Sequence, residues 1–183
     1  MKKNSRLSTY KNFILQFILI SFSVRCVFYV WSFSEIDFSI LNFFRVLFTG
    51  LFFDIGVISF FVILYTLYLI LFPNKWIGSL VDKSCTYVFY FLTTLILTFS
   101  FFAELTFWEE FQNRFNFIAV DYLIYTYEVV QNINESYPIP LLLFVVFVLV
   151  FLQYYILKKQ NVFKNTFSSK RTSKDRILLV MSF

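Results

Sequence analysis

The sequence predicts an all-α protein: a multi-pass transmembrane helical bundle of four spans, with an amphipathic interfacial helix between spans three and four. Three observations lead there. Hydrophobic residues make up 59% of the 183 residues and charged residues 15%, against roughly 45–50% and about 25% in soluble domains. Four apolar runs approach or exceed the roughly 20 residues that cross a bilayer core. Basic residues alternate from one inter-span segment to the next.

The 29 Phe and 12 Tyr are too much aromatic surface for a small soluble core to hide. Lipid is the solvent that accommodates it. Chain facing lipid must satisfy its own backbone hydrogen bonds, so the apolar runs are predicted as helices. A membrane β-barrel would alternate apolar and polar residues, and no such alternation is present.

The first span is predicted at about residues 13–33. It follows Lys2, Lys3, Arg6 and Lys11, a basic n-region. The apolar stretch is too long for a signal peptide, and no small-residue cleavage site follows it. It reads as an uncleaved signal-anchor. The second span covers about 46–72, long enough to tilt. The third covers about 85–103 and the fourth about 139–157. Pro138 and Pro140 open the fourth, at positions where a missing N–H costs nothing.

The inter-span segments carry the orientation. The first has Glu35 and Asp37, with Arg45 at its far edge; the second has Lys75 and Lys83 against Asp82. The third, 104–137, has six acidic residues and only Arg114 as a base. After the fourth span come Lys158, Lys159, Lys164, Lys170, Arg171, Lys174 and Arg176. This positive-inside pattern predicts a cytoplasmic N-terminus, an extracytoplasmic third segment, and a solvated basic loop over 158–176 at the anionic inner leaflet. Residues 177–183 start another apolar run. Either they form a frayed tail or the chain stops at the start of a fifth helix; the second reading is preferred.

The net charge of +5 sits at the ends of apolar runs, so nucleic acid is not an expected partner. Cys26 and Cys85 fall toward opposite ends of their spans, and no disulfide is expected between them. There is no His and there are only 3 Gly. A glycine-rich phosphate loop, a nucleophile elbow and a Cys or His cluster are all missing, so no catalytic residue and no metal ligand is assigned.

Two ionisable residues lie within spans. Arg25 is about eight residues from the outer end of the first, and Asp54 about ten from the outer end of the second. Both then sit on the order of 12–15 Å below the outer surface. A lone charge at that depth costs several kcal/mol, so an Arg25–Asp54 ion pair is predicted. It serves either as a packing clamp or as the lining of a polar cavity for a lipid headgroup. In the third segment Asp121, Tyr125, Glu128, Asn132 and Glu135 fall on one helical stripe. That describes an amphipathic helix at headgroup depth, or a surface on which Arg114, Asp121 and Glu128 meet a polar substrate or a docking domain. Carboxylates at this spacing make no compact cation motif.

The third segment also carries a resemblance. Phe107-Trp108-Glu109-Glu110-Phe111, the run from Arg114 through Asp121 to Thr126, Glu128-Val129, and Asn132 through Pro138 resemble the membrane domain of bacterial lipoteichoic acid synthase-like proteins. These are phosphoglycerol transferases and relatives in the alkaline phosphatase/sulfatase superfamily. The likeness is greatest to the Gram-negative branch, and the stretch from Arg45 to Asp54 fits as well. The resemblance implies a bacterial inner-membrane location and about five membrane helices. It further implies a large extracytoplasmic α/β domain holding a divalent metal and a Thr or Ser nucleophile. On that expectation this chain is the N-terminal membrane part, inactive without the catalytic domain, with membrane lipids and that domain as partners. A small transporter subunit and a non-catalytic membrane interaction protein are the alternative readings.

Overall fold

A computed structural model describes residues 5–34, 36, 39–114, 127, 131 and 134–168. These residues are helical or connecting, with no strand among them. The helices are α1 (Ser8–Trp31), α2 (Ile40–Leu71), α3 (Leu80–Phe111), α4 (Ile139–Lys159) and the short α5 (Val162–Ser168), with a 3₁₀ turn at Asn74–Trp76. The first four are long and apolar enough to cross a membrane.

The helices are longer than the apolar runs that predict them. A hydropathy run ends where charge begins, whereas a helix ends where its backbone must turn. The turn after α2 comes at Pro73, which cannot continue a helix and biases Phe72 to its extended conformation. α3 continues eight residues past the predicted end, through Glu104, Glu109 and Glu110, because Phe107 and Phe111 extend its apolar face and no breaker intervenes. Gln112, with φ of 51°, ends it. α4 begins at Ile139, with the Pro138 carbonyl accepting from the amides of Leu141 and Leu142 at 3.0 and 3.1 Å.

The chain divides into two compact units, Met1–Thr93 with Ile156–Phe183, and Thr94–Tyr155. In the first, α1 packs against α2 and α5. The buried face of α1 carries Phe13, Phe17, Ser21, Val24, Arg25 and Phe28 at three- and four-residue steps. That of α2 carries Asp54, Ile58, Val62, Tyr65 and Leu69. Aromatic rings fill the space between them. Tyr65 stacks on Phe89 with centroids 4.3 Å apart, and Phe13 meets the same ring edge-on at 5.9 Å. The faces turned away, with Phe52, Phe60 and Leu64 among them, are exposed and apolar, as a lipid-facing surface must be. In the second unit, Val146 and Val150 of α4 are buried.

The solvated basic loop predicted over 158–176 is corrected in part. A turn at Gln160–Asn161, with Asn161 at φ 57°, leads into α5, whose Val162, Phe163 and Thr166 are buried. Phe163 packs on Tyr87 and Tyr90 with centroids at 4.9 and 5.6 Å. Lysines dominate the composition of this stretch and mask the small apolar face beneath them. Residues 169–183, and with them the apolar run over 177–183, lie outside the described residues.

Candidate intramembrane polar site

Arg25 and Asp54 form a buried ion pair between α1 and α2, through Arg25 Nη2 and Asp54 Oδ2. Ser21, one turn before Arg25, bridges them. Its hydroxyl donates to Asp54 Oδ1 at 2.7 Å and accepts from Arg25 Nη2 at 3.0 Å. The pair is not at equal distance from the two helix ends, as the apolar runs had implied. Arg25 lies six residues, about 9 Å, from the end of α1, and Asp54 fourteen residues, about 21 Å, from the start of α2. α2 therefore reaches beyond α1 at this end of the unit.

Gly50 makes room for the pair. A Cβ there would stand 2.6 Å from Arg25 Cζ and 2.7 Å from Cδ, and nearer still to Nε. The guanidinium thus lies directly over the α2 backbone at the turn before Asp54. Arg25 Nε is buried without a hydrogen-bond partner. The Asp54 contact and the Gly50 cradle hold the group in place without saturating it.

A second buried pair joins Arg6, ahead of α1, to Asp82 in the first turn of α3. The contact is bidentate: Arg6 Nη1 donates to Asp82 Oδ2 at 2.9 Å, and Nη2 donates to Oδ1. Tyr68 OH donates to Oδ1 at 2.6 Å and the Gly78 amide to Oδ2 at 2.8 Å. Gly78 has φ of +82°, which suits glycine and aims its amide at the carboxylate. Arg6 Nη1 also donates to the Thr166 carbonyl at 3.3 Å, and Thr9 and Thr166 share a hydroxyl contact at 2.8 Å. Arg6 is 2% exposed and Asp82 0%, so neither behaves as a solvated flanking charge. This cluster ties the start of α1, the α2–α3 turn and α5 together.

Buried hydroxyls recur along α3 at four-residue steps: Thr86, Tyr90, Thr94 and Thr98. Tyr65 OH shares a hydrogen bond with Thr86 Oγ1 at 3.1 Å, and Tyr90 OH donates to Gln16 Oε1 at 2.8 Å. In the second unit Gln153 Nε2 donates to Thr98 Oγ1 at 3.1 Å. Hydrogen bonds between membrane helices are worth roughly 0.6 kcal/mol each on average, so these rungs set register more than stability. The four-residue spacing is visible in the sequence, but Thr dissolves into a hydropathy average.

In the segment after α3, Arg114 Nε donates to Glu104 Oε1. The Arg114 side chain is 43% exposed, and such pairs contribute about 0–1 kcal/mol. Tyr137 OH donates to Glu109 Oε2 at 3.1 Å. Partial burial, then the hydrogen bond donated to the Glu109 carboxylate, push the Tyr137 phenol above its ordinary value of 10.0. Glu135 is exposed, while Asp121, Tyr125, Glu128 and Asn132 lie outside the described residues. Among the described residues, no group of three or more His, Cys, Asp or Glu is placed to hold a metal ion.

The four long apolar helices and the charge pairs buried among them define a multi-pass helical membrane protein. Comparison with protein-family models, with curated proteins and with solved structures finds no match.

Proposed function

We propose that this helical domain is the membrane anchor of a sulfatase-like transferase of the bacterial inner membrane. The enzyme would move phosphoglycerol or phosphoethanolamine groups onto envelope glycolipids or glycans. The single observation supporting this reading is the aromatic, acidic motif from Phe107 to Pro138, which resembles the membrane domain of lipoteichoic acid synthase-like proteins. The loop charges, by the positive-inside rule, support an outer position for that motif and a cytoplasmic N-terminus. Arg114, Asp121 and Glu128 are then the residues to meet a lipid headgroup or a catalytic domain. The chemistry belongs to an extracytoplasmic α/β domain with its own divalent metal. The buried pairs Arg25–Asp54 and Arg6–Asp82 have a mechanical role here, holding a scaffold in one arrangement.

The test is to tag the N-terminus at the native chromosomal locus and purify the product from membranes. The reading expects a sulfatase-like domain within or bound to the tagged polypeptide, and metal-dependent release of diacylglycerol from phosphatidylglycerol. A tagged product with no such domain in it or bound to it overturns the reading.

One observation favours a second reading, a small transporter subunit. Polar groups recur through the first unit between the Arg6–Asp82 and Arg25–Asp54 pairs, with Tyr65, Thr86 and Tyr90 buried and Gln16 partly so. A solute-flux assay in liposomes separates the two: flux that Asp54→Asn abolishes supports transport, and its absence supports anchoring.

A further inference from the structure

Six lysines stand exposed in the first unit: Lys11, Lys75, Lys83, Lys158, Lys159 and Lys164. The contacts gather them at one end. Lys11 is in the first turns of α1, beside Thr9, which bonds to Thr166 of α5. Lys83 follows Asp82, which bonds to Arg6. Lys75 is in the 3₁₀ turn that joins α2 to α3, and Lys158 and Lys159 close α4 just before α5, which carries Lys164.

The only acid described at this end is Asp82. It is fully buried and saturated by Arg6, Tyr68 and Gly78. None of the six lysines forms a salt bridge among the described residues. Among the described residues, the buried pair thus takes the one carboxylate at this end off the surface and leaves a rim of exposed charges of a single sign.

We propose that this rim binds anionic phospholipid headgroups of the adjacent leaflet, and so enriches them around this end of the bundle. The physical reason is charge complementarity at short range. Ammonium groups on long stems, placed at the ends of lipid-facing helices, reach lipid phosphates without leaving water. Each is drawn to an anionic surface within about a Debye length. This inference requires the membrane-spanning fold but not the transferase reading.

Trp76 offers a native reporter, because it follows Lys75 and is exposed. The full chain, with Trp31→Phe and Trp108→Phe to leave Trp76 as sole tryptophan, is reconstituted in phosphatidylcholine vesicles. A graded fraction of the lipid is brominated near the headgroup end of its acyl chain, as phosphatidylglycerol or as phosphatidylcholine. The rim predicts half-maximal quenching by the glycerol lipid at a roughly fivefold lower mole fraction, the scale of one lysine's attraction to an anionic surface. The preference should shrink in high salt, and shrink likewise in K158Q/K159Q/K164Q, which removes half of the six lysines, while thermal stability is unchanged. Equal quenching by both lipids, or a preference undiminished in the triple variant, overturns the proposal. So does binding of soluble polyglutamate with no lipid preference, which assigns the rim to an acidic protein.

Discussion

The guanidinium of Arg25 lies across Gly50 of the neighbouring helix, where a Cβ would come within 2.6 Å of its Cζ. The ion pair to Asp54, one turn further along α2, is reached only by crossing that backbone. Gly50→Ala should therefore expel the guanidinium and break the pair, at a cost of about 3–5 kcal/mol, the scale for orphaning a buried charge. Gly56, four ångströms clear of any neighbour, is the control. Ala there should be neutral or stabilising by up to about 1 kcal/mol, since it favours helix over Gly. Unfolding in mixed micelles by a denaturing detergent reads both.

The pair itself should behave as one unit. Arg25→Met and Asp54→Leu each leave a buried charge alone and should each destabilise by about 3–5 kcal/mol. The double variant should recover most of that loss, giving a coupling of several kcal/mol in a double-mutant cycle. Additive losses, or an Asp54→Asn variant as stable and as well inserted as the parent, would count against a coupled pair.

These two residues were legible in the sequence because they are the only charges deep inside apolar runs. Arg6 and Asp82 were not. They lie outside the apolar cores and read as aqueous flanks, and 76 residues separate them. Nothing in local composition distinguishes a charge at a helix end that faces water from one that faces a partner. The face of α5 is hidden for a related reason, since three buried residues among many lysines carry little weight in an average. The four spans were plain because bilayer thickness demands long apolar runs. Their ends were displaced because caps and turns, not hydropathy, stop a helix.

The Arg6–Asp82 cluster should hold α5 in place. Arg6→Gln keeps a hydrogen-bonding side chain but leaves Asp82 charged without its cation. Amides of Val162–Ser168 should then exchange with deuterium at least about tenfold faster, a change of about 1.4 kcal/mol in local opening. Exchange in α2 around Asp54 should stay as in the parent. Unchanged protection of α5 would mean that Phe163 packing alone secures it.

Tyr137 provides a pH dependence outside the spans. Its phenol is raised above 10.0, first by partial burial and then by Glu109. A raised value means that the contact with Glu109 contributes fully below about pH 10 and is lost as pH climbs through the folded-state value. The tyrosinate difference spectrum between the parent and Tyr137→Phe should titrate above pH 10. In Glu109→Gln, that midpoint should move back toward the ordinary phenol value.

The arrangement of the four spans across the bilayer is tested most directly by accessibility of single cysteines in cells. In a Cys26→Ser, Cys85→Ser background, Arg114→Cys, Lys75→Cys and Lys159→Cys are each treated with a membrane-impermeant maleimide. Arg114→Cys should be labelled in cells whose inner membrane is intact, and the other two only after that membrane is permeabilised. Labelling of Lys75→Cys or Lys159→Cys with the inner membrane intact, or failure to label Arg114→Cys there, would contradict this arrangement.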